Sequence, residues 1–200
     1  MSAARPTTLA PYSIFAATLA AAGLPIYIHA PKFYVDEYGV GLAALGAVLF
    51  GLRLLDVVQD PVLGWLSRRA AGARAIAVAF AGAVMSLAML GVFAVAPPIA
   101  PQAWFALTLA LLFSSFSFLT ITFYAQGVRK AGQLGDEGHV RLAAWRETGA
   151  LLGISLAAVL PVALEPVTDA PFALFAIAFA VISVIAVWDK RSEWIAGARV

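Results

Sequence analysis

The sequence predicts an all-α protein that crosses a membrane six times. Its 200 residues are 62% hydrophobic and 12% charged, whereas a soluble domain is about 25% charged and cannot bury so much apolar surface. Residues 75–128 contain no charged residue, which is enough chain for two spanning helices of about 20 residues each and a turn. Charged residues gather in short segments between apolar runs, as in the loops of a multi-pass membrane protein.

Six apolar runs fit spanning helices within a single domain that covers residues 1–200. The predicted helices cover about residues 11–34, 42–66, 76–96, 102–126, 142–164 and 172–188, followed by a short amphipathic tail. Gly23, Pro25 and Pro31 predict a kink in the first helix, and a kinked membrane helix often lines a cavity, which Tyr27 would then face. The first run has features of a signal peptide, but we expect it to be retained as a membrane helix.

The loops on the two sides of the predicted bundle differ in charge. One side carries ten basic residues: Arg5, Arg68, Arg69, Arg74, Arg129, Lys130, Arg141, Lys190, Arg191 and Arg199. The other side carries a single basic residue, Lys32, among the acids Asp36, Glu37, Glu165 and Asp169. Because basic loops stay in the cytoplasm, the pattern predicts a protein of the inner (cytoplasmic) membrane with both termini in the cytoplasm.

The second predicted helix contains charged residues where a charge costs several kcal/mol unless it is compensated. Arg53 and Asp60 lie nearly in line on a helix of about 100° per residue, with Asp56 and Gln59 beside them. Asp56 and Asp60 repel each other, and Arg53 neutralises one of them. The surplus negative charge suits a proton or a sodium ion bound by Asp56 and Asp60. The alternative is a buried ion-pair network that only holds helices together.

Two later helices add polar groups to a possible cavity. Ser117, Thr120 and Tyr124 share one face of the fourth helix and could meet a solute or an ion, although such hydroxyls often bond their own backbone. Arg146 lies about one turn inside the fifth helix, where it either pairs with an acid across the bundle or reaches back to the surface. Gly149 and Gly153 have the GxxxG spacing that permits close helix packing.

Composition and motifs argue against other classes of protein. The chain has no cysteine and two histidines, His29 and His139, far apart in sequence, so we expect no disulfide, no thiolate metal site and no cofactor apart from a possible sodium ion. The basic residues are scattered among loops, which does not predict nucleic-acid binding. The sequence contains no P-loop, dinucleotide fingerprint, HExxH or GxSxG motif, so we expect no enzyme.

Four features of the sequence are considered together: Phe33-Tyr-Val-Asp-Glu-Tyr-Gly39, Arg53-x-x-Asp56-x-x-Gln59-Asp60-Pro61-x-x-Gly64, Arg141 and Arg146-Glu-Thr-Gly149. They resemble the amino-terminal half of the glycoside-pentoside-hexuronide:cation symporters, the melibiose:sodium symporter type of the major facilitator superfamily. The resemblance extends over essentially the whole chain. It implies half of a major facilitator fold, with six helices arranged as two inverted three-helix repeats.

The resemblance also implies roles for individual residues. It places Asp56, Asp60, Gln59 and Ser117 at the cation site, with Gln59 standing where the family usually has Asn. The family's sugar-binding acids of the first and fourth helices fall at or near Ala20 and Thr120, so recognition of a galactoside by paired acids is not expected. Arg53, Thr120, Tyr124, Arg146 and Tyr27 remain as candidates to line the substrate cavity. Arg68 stands where the family usually has an Asp, which puts the cytoplasmic gate pairing in doubt.

Half of a transporter needs a second half. Because the number of predicted spans is even, a second copy of the chain can insert in parallel and supply it. We therefore expect a homodimeric, half-size transporter in membrane lipid that couples sodium or protons to a small, sugar-like organic solute. A separately encoded carboxy-terminal half is the alternative partner. The alternative functions are a transporter of lipids or amphiphiles and a non-transporting membrane scaffold or assembly factor.

Overall fold

The structure, a computed structural model, describes residues 9–196, and within that range it contains helices and connecting turns. Arg5 and Arg199, which contribute to the predicted orientation, lie outside the described residues. The helices are α1 (Ala10–Ala21), α2 (Leu24–Tyr38), α3 (Leu42–Arg69), α4 (Arg74–Phe93), α5 (Pro101–Gly132), α6 (Gly138–Leu164), α7 (Pro171–Asp189) and α8 (Arg191–Ala196), with a 3₁₀ turn at Ala70–Ala73.

Five helical segments of the described chain are long and apolar enough to span a membrane. One of them, Leu42–Phe93, contains both α3 and α4. These two helices run in opposite directions, because the end of α4 at Phe93 contacts Phe33 in α2, just ahead of the start of α3. Residues 9–196 therefore make six passes, of which α1 and α2 together form the first.

The helix contacts follow the symmetry expected of two three-helix repeats. The first pass packs along α6, and α5, its counterpart in the second repeat, packs along α3. In the same way α5 packs against α4, and α1 packs against α7. The remaining large contact, between α4 and α7, joins the third helices of the two repeats. The predicted all-α fold, half of a major facilitator unit, is confirmed.

Two glycines explain how α1 and α6 come so close. A Cβ atom on Gly149 would lie 2.1 Å from the backbone oxygen of Ser13, and one on Gly153 would lie 2.2 Å from that of Ala17. Both distances are too short for any side chain, so glycine is required at both positions. Here the GxxxG spacing brings two helix backbones into direct contact.

The first pass is interrupted near its middle, where the sequence predicts a kink. Helix α1 ends at Ala21 and α2 begins at Leu24, with a proline in its first turn. Pro31 lies inside α2 without ending it. His29 is buried on α2 and hydrogen bonds through Nε2 to the carbonyl of Ala158 in α6, at 3.0 Å. This bond fixes α2 to α6.

The helices extend further than the apolar runs predict. Helix α5 continues to Gly132 and α6 starts at Gly138, so the predicted polar connection between Arg129 and Arg141 is mostly helical. We call this end of the bundle, which carries Arg69 and Lys130, the basic end. The opposite end, where acidic residues surround Lys32, is the acidic end.

Candidate functional site

A cavity of about 410 Å³ lies between the start of α2, the middle of α3 and the middle of α5. We call it the carboxylate cavity, because Asp56 and Asp60 both line it. They face the same space because they are one helical turn apart on α3. Its wall from α5 consists mainly of Phe113, Phe116, Ser117, Thr120 and Ile121.

Asp56 is held by two neighbours from its own helix. The side-chain amide of Gln59 donates to Asp56 Oδ1 at 2.8 Å, and Arg53 Nη1 lies 3.6 Å from Asp56 Oδ2. The side chain of Asp56 is 19% exposed, whereas that of Arg53 is 63% exposed. Asp56 is therefore the inner partner of this ion pair, and its charge is compensated.

Asp60 differs from Asp56 in its surroundings. It lines the same cavity and is exposed in the single chain. Within residues 9–196, no ion pair or hydrogen bond of the Asp60 carboxylate is found. Among the acids of the described chain, Arg53 pairs with Asp56 alone, which leaves the negative charge of Asp60 in surplus.

Gln59 connects α3 to α5 as well as to Asp56. The hydroxyl of Ser114 donates to Gln59 Oε1 at 2.7 Å, while the amide nitrogen of Gln59 donates to Asp56. Both ends of the amide are therefore engaged, and its oxygen is directed at Ser114 and not into the cavity. A cation that uses this oxygen has to displace the Ser114 hydroxyl.

Arg53 is positioned by an aromatic stack. Its guanidinium carbon lies 4.5 Å from the ring centroid of Tyr27, and that ring stacks on Phe113 with centroids 4.8 Å apart and planes inclined by 9°. A cation over an aromatic face is attracted by the ring quadrupole. Tyr27 thus holds Arg53 at the rim of the cavity, where it reaches Asp56.

Two predicted hydroxyl groups line the α5 wall of the carboxylate cavity. Ser117 and Thr120, three residues apart, both contribute to it. The Thr120 hydroxyl oxygen is buried, and no hydrogen-bond partner for it is found in the described part of the chain. A buried hydroxyl without a partner costs free energy. The Thr120 oxygen beside the carboxylates is therefore available to bind a ligand.

The break in the first pass also reaches this cavity. Gly23, between α1 and α2, is one of the lining residues. An interrupted helix leaves backbone groups without their usual partners, and within a membrane such groups are tolerated where they line a cavity or are buried in protein. The break and the carboxylates therefore occur at the same place.

Tyr124 and Arg146 occupy a different cavity, of about 100 Å³, toward the basic end. The Arg146 guanidinium lies 4.8 Å from the Tyr124 ring centroid and pairs with its neighbour Glu147 at 2.6 Å. It therefore does not pair with an acid across the bundle. The structure brings Tyr27, Arg53 and Thr120 to the carboxylate cavity and separates Tyr124 and Arg146 from them.

Sequence reasoning missed one polar residue of this site and three apolar ones from α5. Ser114 holds Gln59, and Phe113, Phe116 and Ile121 form part of the wall. Ser114 lies one turn before Ser117 on α5 and shares its face, which could have drawn attention to it. In residues 9–196 no group of three or more His, Cys, Asp or Glu side chains is arranged to hold a metal ion.

Comparison with known proteins agrees with this architecture. A family described as MFS/sugar transport protein matches residues 12–190, which includes all six passes and both cavities. Searches of curated proteins and of solved structures gave no match. The chain belongs to the MFS/sugar transport protein family, and it is a multi-pass secondary transporter of the major facilitator superfamily, not an enzyme.

Proposed function

We propose that this transporter couples a monovalent cation, sodium or a proton, to the movement of a small, sugar-like organic solute by alternating access. The observation that carries the proposal is the surplus carboxylate in the carboxylate cavity. Asp56 is compensated by Arg53, whereas Asp60 has no partner among the described residues. A cation at Asp60 would remove the surplus, with the Ser117 and Thr120 hydroxyls as further oxygen ligands.

The position of Asp60 supports this proposal. Asp60 lies nine residues before Arg69 on α3, or about 14 Å along the helix axis from the basic end. A carboxylate at that depth is too costly to face lipid. It therefore faces a water-filled path or another protein surface, and both are compatible with transport.

We propose that the second wall of this path comes from a parallel second copy of the chain. Helix α3 packs against α5 and leaves its other sides, including Phe50, Val57 and Val58, exposed in the single chain. In the superfamily, two six-helix halves in the same orientation enclose the path. A two-fold homodimer would meet this requirement and place two carboxylate pairs around one path. The basic end would face the cytoplasm, with the protein in the inner (cytoplasmic) membrane.

Cation coupling is tested by neutralising each carboxylate. Asp56→Asn and Asp60→Asn are reconstituted separately into liposomes, and sodium and proton dependence of solute uptake is measured across a panel of sugars. Asp169→Asn, at the acidic end and away from this cavity, is the matched control. We expect both cavity variants to lose cation dependence while the control keeps it. Uptake with full cation dependence in both cavity variants would remove these residues from the coupling role.

The oligomeric state needs its own measurement. Native mass spectrometry of the tagged chain, expressed alone, is expected to show a dimer. Recovery of an obligatory, different six-span protein in the native host would instead identify a separate carboxy-terminal half.

The alternative substrate class has its own test. Retention of a lipid-like molecule through purification, in place of sugar-dependent uptake, would favour the amphiphile transporter. Phe113, Phe116 and Ile121 are compatible with that alternative, because they make one cavity wall largely apolar.

A further inference from the structure

A lysine at the basic end is completely enclosed by protein. Lys190 follows the last residue of α7, precedes α8, and has no exposed surface. A buried ammonium group loses its hydration, which disfavours the charged form. Burial accordingly lowers the pKa of Lys190 from its ordinary 10.5 to about 8, although the neighbouring Glu193 opposes the shift. Such a residue has to be held by specific contacts.

Four aromatic rings surround the ammonium group. Its nitrogen lies 4.5 Å from the ring centroid of Tyr12, 5.1 Å from those of Phe123 and Trp194, and 5.9 Å from that of Phe15. These rings come from α1, α5 and α8, and all four are buried. Each ring face attracts a cation, and the attraction is larger where water is excluded. We call this arrangement the lysine cage.

Charged groups complete the lysine cage. Glu193 of α8 accepts a hydrogen bond from Lys190 at 2.9 Å and also pairs with Lys130 of α5. Burial raises the pKa of Glu193, but the two ammonium groups outweigh this effect, so that its pKa is lower than usual. One carboxylate thus connects α8 to the end of α7 and to α5.

The docked position of α8 carries costs as well as gains. The indole nitrogen of Trp194 is buried, and no hydrogen-bond partner is found for it in residues 9–196. An unpaired buried donor and a desolvated ammonium each cost free energy. They oppose the ring contacts and the ion pairs. The docked position of α8 is therefore a balance of favourable and unfavourable terms.

We propose that α8 is a latch: Glu193, paired with Lys190 inside the lysine cage and with Lys130 of α5, holds α8 under the basic end and ties α7 to α1 and α5. Opening the latch exposes the cage and separates the end of α7 from the other two helices. This inference does not depend on the proposed cation coupling, since none of its residues lines the carboxylate cavity.

Protonation gives the latch a defined pH response. Tyr12 from α1, Lys130 from α5 and Glu193 from α8 are the titratable groups at Lys190. Below pH 8, Lys190 is protonated whether α8 is docked or released, so this group makes docking no more or less favourable as pH changes in that range. Between about pH 8 and 10.5 the docked state has lost the proton that the released state keeps. Docking is therefore stabilised as pH rises through this window.

Hydrogen exchange of the full chain in lipid nanodiscs, read by mass spectrometry over residues 191–196, tests the latch. Glu193→Gln leaves the buried ammonium without its counter-charge, so we expect exchange at least about ten-fold faster. Lys190→Met removes the charge but keeps the chain length, so protection is retained and no longer rises between pH 8 and 10. The double variant is expected to be protected again. Arg191→Gln, which alters a neighbouring arginine stacked on Trp188, is the control, and exchange in α6, which has no large contact with α8, reports the fold.

Two results would overturn the latch. Unchanged exchange in Glu193→Gln would mean that α8 is held by apolar packing alone. Exchange in the double variant as fast as in Glu193→Gln would mean that the uncompensated charge of Lys190 is not what releases α8.

Discussion

The close contact of α1 and α6 makes a strong prediction about one methyl group. Gly149→Ala adds a Cβ atom that would lie 2.1 Å from the backbone oxygen of Ser13. Ordinary contact begins at 3.4 Å, so the two helices have to separate by about 1.3 Å at this point. The obstacle is backbone on both sides, which cannot rotate away as a side chain can. We expect the α1–α6 interface to open locally and the protein to be destabilised.

The size of the effect follows from known costs of overpacking. Forcing extra volume into a packed interface costs about 1–3 kcal/mol. For a chain of 150–250 residues, each kcal/mol shifts the melting temperature by about 2–4 °C. We therefore expect the melting temperature of Gly149→Ala to fall by roughly 2–12 °C. Gly153→Ala, with a contact of 2.2 Å to Ala17, is expected to behave in the same way.

The matched control is Gly51→Ala, in the middle of α3. A Cβ atom there meets nothing within 4 Å, so this variant measures the gain in helix propensity, which is up to about 1 kcal/mol in the opposite direction. Thermal unfolding in detergent, followed by light scattering and tryptophan fluorescence, gives the three melting temperatures. Equal melting temperatures for Gly149→Ala and Gly51→Ala would refute the claim that direct backbone contact holds α1 against α6.

Three further predictions concern hydrogen bonds and charge. Ser67→Ala breaks the buried 2.8 Å hydrogen bond to Thr122 that joins α3 to α5, and should lower the free energy of unfolding by about 0.6–2 kcal/mol. Ser192→Ala, on the exposed surface, is the neutral control. Gln59→Leu removes the hydrogen bonds to Asp56 Oδ1 and from the Ser114 hydroxyl, although Asp56 keeps Arg53, and should lower the free energy of unfolding by about 1–3 kcal/mol. A melting temperature equal to that of wild type would contradict these contacts. Between pH 8 and 10.5 the melting temperature of wild type should rise relative to that of Lys190→Met, because the pKa of Lys190 is about 8 when it is buried. Parallel curves of melting temperature against pH for the two proteins would show that Lys190 does not titrate in this window.

The number of passes and the location of the charged stripe follow from the sequence alone. Long apolar runs leave a chain no stable alternative to spanning helices, and the period of an α-helix places Asp56 and Asp60 on the same side of α3. Helix ends were harder to predict. Arg129 and Lys130 belong to α5, although the apolar run stops before them, because a helix continues beyond the membrane surface when its next residues are good helix formers.

Side-chain partners across helices were beyond sequence reasoning. Whether Gln59 bonds to Ser114 depends on the rotation of α3 against α5, which no local pattern encodes. Lys190 was predicted to lie in a charged segment at the membrane surface, yet it is buried. Its enclosing rings come from the two ends of the described chain and from the middle, so their meeting depends on the whole fold.

The interruption between Ala21 and Leu24 has a mechanical consequence for the first pass. Helix α1 is seated along α6, whereas α2 makes smaller contacts with each of its neighbours. A helix pair that is packed closely along one half and less closely along the other bends most easily at the interruption between the two halves. We expect α2 to tilt about Gly23 while α1 stays in place, at the cost of the hydrogen bond between His29 and Ala158, so that the distances between α2 and its neighbours change at the acidic end.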